Sequence, residues 1–152
     1  LITTSSGSVI DLRIHQRLHG FDESYFIDSI DHEQCLRLYA NTLAAAKVRH
    51  VYIHHQLGRD IKLLPIPFSP LVLRITSHAP NRYYYIIRNT FFTLKKHWKV
   101  QFPAVAIVYT LMLVKILLCV VLYGDNKLLK VKNMLLGLRH FLTNRRGFYL
   151  PV

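Results

Sequence analysis

The stretch Phe102–Tyr123 holds twenty-two residues, interrupted only by Pro103, Thr110 and Lys115 and otherwise apolar. About 20 such residues in a helix reach across a bilayer, so the run predicts one long helix that lipid or protein has to cover. Its flanks are basic on both sides, with Lys95, Lys96 and Lys99 before it and Lys127, Lys130 and Lys132 after it. A simple crossing gathers positive charge on one side, so a span and a segment lying on or dipping into the cytoplasmic leaflet both stay open. Lys115 favours the shallower placement, because a cation at mid-bilayer costs roughly 3 kcal/mol on insertion scales.

The next segment, 125–143, places Leu128, Val131, Leu135, Leu138 and Leu142 on one stripe with Lys127, Lys130, Asn133 and His140 elsewhere. This pattern predicts a basic amphipathic helix, which a membrane surface, a partner domain or the preceding helix would satisfy. Before the apolar run, Tyr84, Ile87, Phe91, Leu94 and Trp98 recur at helical spacing, and His78, Arg82, Tyr85 and Asn89 run beside them as a polar stripe. Prolines 65, 67, 70 and 80 mark an extended connector ahead of that helix. Residues 1 to about 60 read as α/β sequence: a Ser/Gly turn at 4–8, a short helix at 11–19, a second helix at 31–45 and the β-rich "KVRHVYIHH".

Twenty Lys and Arg against eight acids give the 152-residue chain a net charge of +12. That sign attracts phosphates, whether in nucleic acid, nucleotide sugars or anionic lipid. The apolar run and the lack of a groove-reading module argue against nucleic acid. Cys35 and Cys119 match no metal-ligand spacing and suggest neither a zinc site nor a disulfide framework, so a reducing compartment is expected. The first residue is Leu, and the chain is expected to be a piece of something longer.

Five of the eight acids fall within twelve positions, in "GFDESYFIDSIDHEQCLRL". By spacing alone Asp28, Asp31 and Glu33 read as helix-start acids, or as carboxylates at the rim of a cleft at the positive end of a helix dipole. The order of signals adds more: "TSSGSVID", then "HGFDESYFIDSIDHEQCLRL", then "VYIHHQLGRD", then "HAPNRYYYIIRN". Over about residues 3–100 this order resembles the acceptor-side half of glycosyltransferase family 2 enzymes, most closely their bacterial rhamnosyltransferase branch.

The resemblance implies an α/β fold, a partial GT-A-type domain (residues 1–64) lacking its nucleotide-binding half. A connector and polar helix (65–100) and a membrane-associated helical tail (101–152) would follow. It implies inverting transfer from a nucleotide-diphospho-sugar donor such as dTDP-L-rhamnose to a lipid-linked saccharide, at the cytoplasmic face of the bacterial inner membrane. Asp31 would be the general base, with Asp28, Glu33, Ser6 and Gly7 orienting the acceptor or tuning the base. Ile30 stands where the wider superfamily often has a Glu, and Gln34 where the branch often has Trp. His55 would approach a divalent cation, Mg²⁺ or Mn²⁺, and the diphosphate. Arg82, Tyr85, Arg88 and Asn89 are expected to bind diphosphate or acceptor, and an anionic membrane surface would be a further partner. The residues also admit a blander account, in which the tyrosines are core aromatics and the arginines are solvated, and a non-enzymatic membrane-binding module is the other functional reading.

Overall fold

A computed structural model of the protein describes residues 7–54, 60–65, 72–100 and 102–151. The elements run α1 (Leu12–Arg17), a 3-10 turn (Glu23–Tyr25), α2 (Ile30–Ala40), β1 (Asp60–Pro65), β2 (Val72–Ser77), α3 (Pro80–His97), α4 (Phe102–Tyr123) and α5 (Lys127–Leu142). Asp11 caps α1 by accepting from the Arg13 N–H at 2.9 Å. Pro80 opens α3 at a position whose N–H has no helical acceptor, and Ala79 before it is extended, as a residue preceding proline prefers.

The core is built on α3, which is buried from Tyr83 to Thr90 without a break. Along it α5 runs in the same direction, with Met134 beside Tyr83 and Ile87 and, further on, Phe141 against Phe91 and Phe92. Gly137 makes this approach possible: a Cβ there would strike the Tyr84 carbonyl oxygen and stand 3.3 Å from the Arg88 nitrogen. The connection between the two is α4, which returns antiparallel. Val120 joins Tyr83 and Ile87 at one end, and Val105 and Tyr109 meet Leu94 and Leu36 at the other.

The α/β, GT-A-type expectation is corrected by this architecture. Among the described residues the only sheet is an antiparallel hairpin, β1 with β2, in register from Asp60↔Ser77 to Pro65↔Val72. The helices do not flank a parallel sheet; they pack on one another. The β-rich run that was to supply a sheet strand is irregular over residues 47–54, and Val48, Val51, Tyr52 and Ile53 are exposed. β-propensity expresses fit to a half-buried pleated surface, and here no neighbouring strand offers one. The proline-marked connector, by contrast, contributes to the hairpin, with Pro65 closing β1.

Candidate functional site

The acidic segment is held in an uncommon backbone. Phe26, Asp28 and Ser29 have φ of 62°, 61° and 61°, three left-handed non-glycine residues immediately before α2. Each such residue costs of order 1–3 kcal/mol and persists only where its surroundings over-determine it. The surroundings are two buried side chains of α3. Asn89 donates from Nδ2 to the carbonyls of Tyr25, Ile27 and Asp28 at 2.9, 2.6 and 3.1 Å. Arg88, fully buried, donates to Asn89 Oδ1, the Tyr84 hydroxyl and the carbonyls of Gly147, Ser24 and Tyr25. A loop without ladder partners has orphan carbonyls, and these two side chains satisfy them.

On this platform Asp28 and Arg82 form a bidentate pair, with Arg82 Nε and NH2 donating at 2.8–3.1 Å. The pairing raises the Arg82 pKa, burial opposes it, and the charges of Asp28 and Asp31 add to the rise, so Asp31 also acts on this guanidinium. Asp31 sits in the first turn of α2, partly exposed, with Oδ1 accepting from the His32 N–H at 3.0 Å. Its neighbour His32 bonds through Nδ1 to the Tyr109 hydroxyl of α4 at 3.3 Å. Asp28 with Arg82 ties the loop to α3, and His32 with Tyr109 ties α2 to α4, with Asp31 between the two in sequence.

Glu33 points elsewhere. It is fully buried, with Arg37 at 3.0 Å, Lys96 at 2.9 Å and His97 at 3.1 Å. Burial works to raise its pKa, yet the hydrogen bonds from His97 and Lys96 and the charges of Lys96 and Arg37 outweigh it, so the carboxyl stays below its ordinary value. Lys96 also binds Asp22 at 2.7 Å, and Arg37 reaches the Leu18 and Gly20 carbonyls, so the cluster ties α1, α2 and α3 together.

The other expected residues are dispersed. Tyr85 donates its hydroxyl to the Tyr149 carbonyl at 2.6 Å and lies against Phe26. Gly7, with φ of +73°, lies against the Ile53 side chain. Ser6 and His55 fall outside the described residues. Among the described residues no group of three or more His, Cys, Asp or Glu could hold a metal, and both Asp28 oxygens accept from Arg82; His55, the residue expected to approach a divalent cation, lies outside them. Of the groups that sequence reasoning missed, Arg37 was within reach, since it lies one helical turn from Glu33. Lys96, His97 and Tyr109 had no local signal.

Comparison with known proteins adds one relationship. Over 97 residues, 63% of this chain and 30% of the relative, the chain is 30% identical to the dTDP-rhamnosyl transferase RfbF of Shigella flexneri. The chain is similar to part of a rhamnosyl transferase. It spans less than a third of that relative's length. No family model matches the chain, and no solved structure matches it.

Proposed function

We propose that the chain is the acceptor-side part of a glycosyltransferase. By analogy with its relative, the whole enzyme would move rhamnose from a dTDP donor; the lipid-linked saccharide acceptor and the cytoplasmic face of a bacterial inner membrane are what the family resemblance implies. The observation that carries this reading is the setting of Asp31: on the first turn of α2, partly exposed, and directly after the clamped loop whose Asp28 is held by Arg82. The positive end of the α2 dipole lies on the same side.

In the proposed step the Asp31 carboxylate takes the proton of the acceptor hydroxyl as that oxygen bonds to the anomeric carbon. The bond from that carbon to the diphosphate breaks, its electron pair leaves with the diphosphate, and the configuration inverts. Asp28 and Arg82 fix the entrance to α2. Arg88 and Asn89, with their donors committed within the protein, act as positioning residues behind the loop. The test is Asp31→Asn in the whole enzyme, assayed for rhamnosyl transfer and, separately, for donor binding. Loss of transfer with donor binding retained supports the assignment, and near-normal turnover overturns it.

A further inference from the structure

Of the most apolar window of α4, Pro103–Leu122, 17% is buried inside the molecule. The buried side is one stripe, Val105, Tyr109 and Val120, with Met112 and Ile116 packed alongside. On the opposite side Ile107, Leu111, Val114, Leu118 and Val121 are all exposed, at spacings of four, three, four and three. Some large covering has to meet this stripe, since soluble monomers rarely expose contiguous apolar faces of this size.

We propose that the outer face of α4 lies in the plane of an anionic lipid leaflet and does not cross it. Charge favours lipid: from Ile61 to the end of the chain there are fourteen Lys and Arg and one acid, Asp125, which is bound to Lys130. Exposed Lys99 and Lys127 stand just beyond the two ends of α4, next to exposed Trp98 and Leu128. That arrangement suits headgroup phosphates and the interfacial zone.

Packing excludes a crossing. From Val105 to Val120 the helix is held against α3 and α2, about 22 Å of its length at 1.5 Å per residue. If it spanned, α3 would be drawn to the same depth together with the Asp28–Arg82 pair and the Glu33 cluster, an expensive burial of charge. Lying flat, only the outer stripe enters the acyl boundary. At 100° per residue Lys115 falls about 80° round the helix from the centre of that stripe, on its flank, where its ammonium reaches the headgroups. The inference stands on α4 and does not depend on the transfer reaction.

The test adds the whole chain to sealed vesicles of phosphatidylcholine or of equimolar phosphatidylcholine and phosphatidylglycerol. Trp98, the single tryptophan, reports binding by a blue shift. Binding is expected to the anionic vesicles and to weaken with salt. Leu111→Asn with Leu118→Asn is expected to weaken it at least ten-fold with helicity unchanged. Lys99→Cys and Asn126→Cys, each combined with Cys119→Ala, are then treated with an impermeant maleimide after binding, Cys35 being buried. Labelling of both sites supports the in-plane placement, whereas protection of one site means a crossing and overturns it. Failure to bind anionic vesicles overturns it as well, as does a dimer that covers the stripe and is broken by the two leucine substitutions.

Discussion

Arg82 of α3 holds Asp28 with two nitrogens, 54 residues apart in sequence, so the residue that opens the acidic loop is fixed by the helix that begins after the hairpin. The guanidinium fork is what makes this a fixed geometry; an ammonium offers a point charge. Because Arg82 is 42% exposed, solvent screens the pair. Arg82→Lys is therefore expected to cost at most about 1 kcal/mol in urea unfolding. A double-mutant cycle with Asp28→Asn should return a coupling of similar size, and a coupling of zero would contradict the pairing.

Asn89→Ala should be far more damaging. It removes the amide whose two N–H groups serve three carbonyls and releases a loop with three left-handed residues, for a loss of about 3 kcal/mol. Hydrogen exchange at the Glu33 amide, whose N–H bonds the Ser29 carbonyl at 2.8 Å, should accelerate with it. An unchanged exchange rate would show that α2 keeps its start without the clamp.

Stability should fall in two steps as the pH is lowered from neutral. His140 has a lowered pKa through burial and the nearby Arg145, Arg139 and Arg88, so the unfolded chain takes up its proton first and stability declines below about 6.5. The Glu33 carboxyl is also lowered, so its contribution is complete above its ordinary value of 4.5 and is lost as pH falls through the lower folded value. Urea midpoints across this range should show both slopes, and Glu33→Gln should reduce the acid one while leaving the first. An acid slope indifferent to that substitution would contradict the role given to the cluster.

Gly137→Ala should cost about 1–3 kcal/mol, because the new methyl group meets backbone of α3 that has no rotamer to change. Leu135→Ala two residues away, at an exposed position, should cost much less. Thermal melts of the two variants give the comparison directly, and equal melting temperatures would mean that α5 can slide.

The extents of the helices after Pro80 were legible because their apolar spacing and their prolines are local signals, but the apolar stripe expected to be the covered face of α5 is not: Leu128, Leu135 and Leu142 are exposed, while Lys130, Asn133 and His140, placed elsewhere, are buried. The polar stripe of His78, Arg82, Tyr85 and Asn89 was legible in part: His78 lies ahead of α3, and the burial of Tyr85 and Asn89 was not foreseen. That depends on a loop and a tail some sixty positions away, whose unpaired carbonyls need donors. The run 47–54 misled for the converse reason: its composition suits a strand, and whether it joins a sheet is decided by neighbours that local composition does not name. Asp31 stood out through its company of acids, whereas Tyr109 lay inside an apolar run that gave no hint of its bond to His32.

The segment after α5 carries more than its lack of regular structure suggests. Gly147 donates its N–H to the Ser24 carbonyl and lends its own carbonyl to Arg88, while Tyr149 both donates to and accepts from the Tyr85 hydroxyl. Whatever displaces Gly147 and Tyr149 would therefore also loosen the backbone that leads into α2, more than a hundred positions earlier in the sequence.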